Sequence, residues 1–162
     1  MFNKRGAGGL KILVDADSCP SRVREIIVKA SVRESIEAIF VANRKIPLSE
    51  GQRVSMVVAG KEESSADRYI ISKATTDDLV ITRDIPLASE LVKQGVVVIN
   101  DRGDVFTSNN IRERLWERNF MEELRISGIQ EGKPSRYGRK EVKAFADTFD
   151  KELRKLKEKK GK

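Results

Sequence analysis

The chain of 162 residues is long enough to bury one hydrophobic core and too short for two comfortable domains. Charged residues make up 35% and hydrophobic residues 39% of it, which excludes a disordered chain, and no apolar run approaches the roughly 20 residues that span a bilayer. The net charge of +7 favours anionic partners such as nucleic acid. Much of that excess lies after Lys151, where a basic run is also typical of a solvated chain end.

The chain has no histidine and a single cysteine, Cys19. Without histidine, the serine and cysteine triads that depend on it are excluded. Any metal site must then rest on carboxylates, which suit hard ions such as Mg²⁺ or Mn²⁺ rather than zinc. One cysteine allows no internal disulfide, and residues 1–9 lack the apolar segment of a signal peptide. We therefore expect a cytoplasmic protein with no membrane association.

The first predicted strand, residues 12–14, runs directly into two carboxylates, Asp15 and Asp17. Pro20 suits the first turn of a helix, and residues 21–33 carry apolar side chains close to helical spacing. The other predicted strands are also short apolar runs, at residues 36–41, 54–59, 79–81 and 96–99.

Three helices are predicted between the third strand and residue 126. The sequence Ser64-Ser65-Ala66-Asp67 resembles a capping box at the start of the first. Pro86 opens a short second helix that ends near Gly95. Residues 110–126 predict a long third helix with its apolar side chains facing the core. These side chains are Ile111, Leu115, Phe120, Met121 and Leu124, with Trp116 beside them.

The last predicted helix, residues 139–160, has an apolar stripe that we expect to dock on the core. Gly128, Gly132 and Pro134 mark a linker before it. We therefore expect an α/β domain at residues 10–130, followed by a linker and a basic C-terminal helix at residues 131–162. Strands that alternate with helical patterns predict a mostly parallel central sheet flanked by helices.

Four carboxylates fall at predicted strand ends or at a helix start. Asp15 and Asp17 follow the first strand, Asp84 follows the fourth, and Asp67 lies in the first turn of the helix between them. Because strand ends and helix N-termini share one edge of a parallel sheet, we expect all four to meet in one crevice. Each has a structural alternative: Asp67 can complement its helix dipole, and Asp84 can cap the helix at Pro86.

Carboxylates in this arrangement suit Mg²⁺ or Mn²⁺, which polarise a phosphoryl oxygen and lower the pKa of a bound water. The expected chemistry is therefore hydrolysis of a phosphodiester, with lysines and arginines holding the anionic strand. The polar residues expected to contact the substrate are Ser18, Asn43 and Thr82. The basic candidates are Arg83, Arg102, Arg112, Arg114 and Arg118, although each arginine also fits an ordinary exposed charge.

Several segments resemble a known family in order along the chain. They include Val14-Asp15-Ala16-Asp17-Ser18-Cys19-Pro20, Val41-Ala42-Asn43, Ala66-Asp67, Asp78-Leu79-Val80-Ile81-Thr82-Arg83-Asp84-Ile85-Pro86 and Asn110-Ile111-Arg112-Glu113-Arg114-Leu115. On these segments the chain resembles the YaiI/YqxD group of bacterial proteins, which are regarded as PIN-like domains. The resemblance spans residues 10–130 and implies a PIN-like α/β fold.

The PIN-like resemblance also implies a nuclease site, for which we expect RNA as the substrate. Its first acid corresponds to Asp15, its helical acid to Asp67, and its Thr-x-Asp to Thr82 and Asp84. Asp17 is additional to the PIN pattern and belongs to the motif of the YaiI/YqxD group. The middle acidic position that many PIN nucleases carry before the helical acid has no clear counterpart here.

Two other functions fit parts of the sequence. Asp15-Ala16-Asp17-Ser18 after a strand resembles the nucleophile motif of haloacid-dehalogenase-like phosphatases, and Thr82, Lys93, Asp101 and Asp104 resemble their later motifs. This interpretation leaves Asp67 and Asp84 without a role. A non-catalytic RNA-binding protein with a vestigial acidic site is the other alternative. A homodimer stays open as the state of assembly.

Overall fold

The computed structural model describes residues 9–48, 51, 53–62, 64–128 and 136–160, with the side chain of Lys160 left aside. Within these residues the strands are β1 (Lys11–Asp15), β2 (Glu37–Ala42), β3 (Val54–Val58), β4 (Leu79–Ile81), β5 (Val97–Ile99) and β6 (Val105–Phe106). The helices are α1 (Ser21–Glu34), α2 (Ser65–Lys73), α3 (Ile85–Lys93), α4 (Ile111–Ile126) and α5 (Arg139–Lys160).

The six strands form one sheet in the order β3-β2-β1-β4-β5-β6. Strands β1 to β5 are parallel, and β6 pairs antiparallel with β5. The predicted α/β architecture, with a mostly parallel sheet, flanking helices and a C-terminal helix, is therefore confirmed. No helix in the described part of the chain is long and apolar enough to cross a bilayer.

Helices cover both faces of the sheet. Successive side chains of a strand point to opposite faces, so each strand contributes to the core on both sides. Ile12 and Val14 of β1 belong to a core cluster that includes Phe40 of β2 and residues of α1 and α5. Leu13, between them, belongs to a second cluster with residues of α2, α3 and the start of α4. Burial on both faces explains why the strands are continuous apolar runs.

The C-terminal helix α5 docks as predicted from its apolar stripe. Phe145 and Phe149 are almost fully buried, and their rings stack with centroids 5.3 Å apart. Leu153 and Leu156 extend the same contact, and all four belong to the cluster of Ile12. The predicted linker lies largely outside the described residues, as do residues 1–8 at the start of the chain.

The loop between β5 and β6 holds the N-terminal half of α5. Gly103 in this loop has a φ of +87°, and a Cβ atom there would lie 2.5 Å from the carbonyl oxygen of Ala144. The hydroxyl of Thr148 donates a 2.8 Å hydrogen bond to the carbonyl of Gly103. Only glycine permits this approach of loop and helix, since any side chain would meet backbone atoms.

We expect Gly103→Ala to lower the free energy of unfolding by about 2–6 kcal/mol, because a positive φ and overpacking each cost about 1–3 kcal/mol. Gly128→Ala is the matched control, since Gly128 has a φ of +77° but no heavy atom within 4 Å of its added Cβ. Urea unfolding of both variants separates the two costs. Equal losses would show that the contact between loop and helix does not restrict residue 103.

The long helix α4 is confirmed, but the prediction that its apolar side chains face the core is wrong for Trp116, Phe120 and Met121. Ile111 is buried, but Phe120 and Met121 are 43% and 46% exposed, and Trp116 is 63% exposed. These side chains are exposed because α4 packs on a shorter helix: α3 has 9 residues, whereas α4 has 16. The second half of α4 therefore extends beyond the helix that covers its first turns.

The predicted capping box at α2 is not formed either. Ser64 makes no side-chain hydrogen bond to the backbone at the start of the helix. Its hydroxyl instead accepts a hydrogen bond from the Arg68 guanidinium at 2.5 Å. The hydroxyl oxygen that a capping box requires is therefore bonded to Arg68, one turn along the helix, and not to the backbone.

Candidate functional site

The candidate site lies where the strand order of the sheet changes direction. β1 is flanked by β2 on one side and by β4 on the other, so the chain winds outward from β1 both ways. In open α/β sheets the crevice beyond the carboxyl ends of the strands at this point binds ligands. Asp15 is the last residue of β1, and Thr82 directly follows β4.

Asp15 and Asp84 are joined through the hydroxyl of Thr82. This hydroxyl donates a 2.7 Å hydrogen bond to Oδ2 of Asp15 and accepts one from the backbone N–H of Asp84 at 3.0 Å. Thr82 is only 2% exposed. The hydroxyl of Thr82 is therefore buried and bonded to both acids, while its contact with a substrate stays a prediction.

Asp84 caps α3, as its structural alternative predicted. Its Oδ1 accepts a hydrogen bond from the backbone N–H of Leu87 at 3.0 Å. Within the described chain its Oδ2 accepts no hydrogen bond. The cap fixes the direction of the carboxylate and leaves one oxygen for another ligand, so capping and ion binding are compatible.

Asp17 and Asn43 connect the loops that follow β1 and β2. The backbone N–H of Asn43 donates to both carboxylate oxygens of Asp17, at 3.2 and 3.0 Å. The side-chain oxygen of Asn43 accepts a hydrogen bond from the N–H of Ala66 at 3.3 Å. Asn43 therefore links the Asp17 loop to the first turn of α2, in which Asp67 lies.

The four predicted acids lie close enough to repel one another. Burial raises the pKa of Asp15, against the hydrogen bond from Thr82, and the charges of Asp84 and Asp17 raise it further. Burial, followed by the charges of Asp84, Asp15 and Asp17, raises the pKa of Asp67 to about 6. The structure thus brings side chains from β1, α2 and the loop after β4 to one crevice and concentrates negative charge there.

The raised pKa of Asp67 predicts a pH-dependent stability. The usual pKa of its carboxyl is 3.8, so between pH 4 and about 6 the folded protein holds a proton that the unfolded chain releases. This extra proton stabilises the folded state. The stabilisation is complete below the unfolded pKa of 3.8 and is lost as the pH rises through about 6. Asp67→Asn should therefore melt above the native protein at pH 8, with the difference vanishing near pH 4.

Melting temperatures from pH 4 to 8 in the presence of a chelator test this prediction. The matched control is Asp77→Asn, because Asp77 is half-exposed and precedes β4, on the opposite edge of the sheet from the crevice. A difference between Asp67→Asn and native protein that stays constant with pH would contradict the raised pKa of Asp67.

The predicted basic residues are spread over different parts of the molecule. Arg83 forms an ion pair with Asp101, with 3.6 Å between Nη2 and Oδ2. Arg102 faces α5, where it pairs with Glu141 at 3.7 Å and lies over the ring of Tyr137. Arg112 is exposed on α4 and forms no hydrogen bond or ion pair with the described chain. Of these arginines, only Arg83 lines the pocket next to Asp15.

A small pocket beside Asp15 contains a further carboxylate. Ser18, Cys19, Arg83 and Asp101 line it together with Asp15. Asp101 is 4% exposed, and its Oδ2 has no hydrogen-bond partner in the described chain. Burial raises the pKa of the Cys19 thiol to about 12, which rules out a thiolate nucleophile at this position.

The sequence pattern indicates a role for Asp101 only as part of the phosphatase motif. The available signal was its position just after β5, comparable to that of Asp84 after β4. Its backbone carbonyl accepts a 2.6 Å hydrogen bond from the hydroxyl of Tyr137. Burial and the charge of Asp101 raise the pKa of Tyr137 to about 12, so its hydroxyl keeps the proton that it donates.

The donors in the crevice suit a hard divalent cation. Among the described residues, no three carboxylate, thiol or imidazole groups are placed to hold one ion together. Mg²⁺ needs no such group, since it usually binds one or two carboxylates and completes its shell with water and substrate phosphate. One or two of the carboxylates of Asp15, Asp67 and Asp84, the last through its free oxygen, fit that mode of binding.

The fold and the crevice define the class: an α/β protein with carboxylates at the switch point of a parallel sheet. The profile described as "Uncharacterized BCR, YaiI/YqxD family" matches residues 13–155, which include all four acids and most of α5. The chain belongs to the YaiI/YqxD family.

Relatives named UPF0178 protein cover most of the chain. The relative from Treponema pallidum is 48% identical over 147 residues, which is 91% of this chain and 83% of the relative. The one from Treponema denticola is 49% identical over 141 residues, covering 87% and 90% of the two chains. The one from Myxococcus xanthus is 47% identical over 147 residues, covering 91% and 96%. No solved structure matches the chain significantly.

Proposed function

We propose that the protein is a nuclease that depends on Mg²⁺ or Mn²⁺ and hydrolyses phosphodiester bonds, with RNA as its substrate. The observation that carries the proposal is the gathering of four acids at one crevice, where burial and then the charges of Asp84, Asp15 and Asp17 raise the pKa of Asp67 to about 6. Uncompensated negative charge costs stability, and a bound cation removes that cost. Because the chain has a single cysteine, we place the reaction in the cytoplasm. Because it has no histidine, we base the reaction on carboxylates.

The residues divide into those that hold the ion and those that position them. Two of the carboxylates of Asp15, Asp67 and Asp84 would hold the cation, which when bound would polarise a phosphoryl oxygen and lower the pKa of a water. Thr82 fixes the carboxylate of Asp15, and Asn43 fixes the loop of Asp17 against α2.

The substrate side of the crevice combines a small polar group with positive charge. Ser18 is exposed and lines the pocket of Asp15, where it can reach a bound phosphate. Arg83 lines the same pocket and is half-exposed, so its guanidinium can contact both Asp101 and an incoming strand. The net charge of +7 attracts the rest of that strand.

Two observations favour a nuclease over the alternatives. The charges of Asp84 and Asp15 act on Asp67, so that Asp67 and Asp84 share one site with Asp15, whereas a phosphatase of the haloacid-dehalogenase type has no role for Asp67 and Asp84. A non-catalytic RNA-binding site is disfavoured because acids at the crevice repel phosphate unless a cation lies between them. One assay distinguishes the phosphatase and the non-catalytic RNA-binding protein from the nuclease.

The assay incubates short single-stranded RNA, short DNA and p-nitrophenyl phosphate with the protein and Mn²⁺. We compare the native protein, the double variant Asp15→Asn/Asp67→Asn and the control Asp77→Asn, each with and without a chelator. The proposal predicts cleavage of RNA by the native protein and the control only, abolished by the chelator. Release of phosphate from the monoester alone would favour the phosphatase, and RNA binding without cleavage would favour the non-catalytic protein.

A further inference from the structure

Helix α4 carries an apolar stripe on its outer side, formed by Trp116, Phe120 and Leu124. These residues are four apart, so they follow one another along one side of the helix. Trp116 and Phe120 are 63% and 43% exposed, and their rings stack with centroids 5.1 Å apart and an interplanar angle of 7°. We call this stripe the α4 outer face.

Packing of the core does not account for the α4 outer face. Ile111 anchors the helix in the core cluster and is 6% exposed. Phe120 comes nine residues later, which is two and a half turns and places it on the opposite side of the helix. Exposed apolar side chains in a contiguous stripe typically mark an interaction surface. Tryptophan in particular is enriched among the residues that dominate binding energy.

Acidic residues border the stripe, although the chain as a whole is basic. Glu113 and Glu117 precede Trp116 and Phe120 by three residues, and Glu123 follows Phe120 by three, so all three are helical neighbours of the rings. All three are exposed, and none forms an ion pair within the described chain. The stripe is therefore apolar with a negative border, apart from Arg112 at its N-terminal end.

We propose that the α4 outer face binds a basic amphipathic segment of another protein, with apolar residues on the rings and lysines or arginines on the glutamates. Charge complementarity decides this choice. RNA is disfavoured, because the glutamates would repel its phosphates. The described part of α5 is basic but has no large apolar side chain exposed, so a second copy cannot supply the segment from there.

Pairing of two α4 helices is disfavoured by the same charges. In an antiparallel pair centred on Phe120, Glu117 of one copy would lie opposite Glu123 of the other. Like charges that face each other in this way are destabilising. A basic segment instead places opposite charges at these positions and buries the same apolar side chains.

Trp116 is the only tryptophan of the chain and therefore reports binding directly. The probe is a synthetic amphipathic helix of about 18 residues with a leucine stripe bordered by lysines. Its control has the same leucines bordered by glutamates. We expect the lysine peptide to shift the emission of Trp116 to shorter wavelength and to bind at least about tenfold more tightly than the glutamate peptide.

Variants test the two components of the surface separately. Glu117→Lys/Glu123→Lys should reverse the preference between the peptides, whereas Glu158→Lys, an exposed glutamate on α5, should leave it unchanged. Phe120→Ala should weaken the lysine peptide at least about tenfold. Val32→Ala is its control, because Val32 is 67% exposed on α1, away from the stripe.

Three results would overturn the proposal. The first is an unchanged Trp116 emission at high peptide concentration. The second is equal affinity for the two peptides. The third is sedimentation as a dimer that Trp116→Ala converts to monomer, since a second copy would then cover the α4 outer face.

Discussion

Replacing Asp78 by alanine is expected to lower the free energy of unfolding by about 3 kcal/mol. Asp78 is fully buried, and its carboxylate accepts four hydrogen bonds, two from Lys11 and two from Thr75. These bonds tie the start of β1 to the turn before β4. Removing one partner of a buried ion pair typically costs about 3–5 kcal/mol. The lower end applies because the Lys11 side chain is 22% exposed and can regain water.

Urea unfolding at pH 7 measures the effect of Asp78→Ala. The neighbouring variant Asp77→Ala is the control, since Asp77 is half-exposed and lies 4.0 Å from the ammonium of Lys159. A surface pair of this kind contributes at most about 1 kcal/mol. Equal stability of the two variants would show that the carboxylate of Asp78 does not hold β1 to the β4 turn.

The second large effect concerns activity: Asp15→Asn should reduce the rate of RNA cleavage by about 100-fold or more. Charge stabilisation by a bound cation contributes several kcal/mol to the transition state, and about 1.4 kcal/mol corresponds to tenfold in rate. Asparagine has nearly the shape of aspartate, and its amide oxygen can still accept the hydrogen bond of Thr82. The variant should therefore fold, with the repulsion from Asp84 and Asp17 removed.

Initial rates at saturating Mn²⁺, together with melting temperatures, test this prediction. The expected combination is a rate at least about 100-fold lower and a melting temperature at or above that of the native protein. The control Asp77→Asn should keep the native rate. A native rate in Asp15→Asn would remove Asp15 from the catalytic centre, whereas loss of folding would show that its charge has a structural role.

The central strands β1 and β4 were predictable from sequence because they are buried on both faces, whereas the two-residue strand β6 was not predicted. The short apolar run Leu79-Val80-Ile81 predicts a central strand, and the structure assigns β4 to these three residues. The stripe of α5 was predictable for a related reason: Phe145 and Phe149 recur at helical spacing, and both are buried. The parallel order then follows from the alternation of strands and helices.

The extent of α4 and the surroundings of Asp101 could not be predicted in the same way. Apolar spacing identifies one side of a helix but does not say whether a neighbour covers it, and α3 is too short to reach Phe120. The contact of Asp101 with Tyr137 joins residues 36 positions apart, with no local signal. The convergence of Asp15, Asp67 and Asp84 was predictable because parallel topology fixes which ends of the elements meet.

Titration of Mn²⁺ into the protein by calorimetry tests the central claim most directly, namely that the acids at this crevice form a cation site. We expect saturable binding at pH 7.5, weaker by at least about tenfold in Asp67→Asn and unchanged in Asp77→Asn. Binding should also weaken below pH 6, where Asp67 takes up a proton. Equal affinity in Asp67→Asn and the native protein, or no binding to either, would show that these acids do not form a cation site.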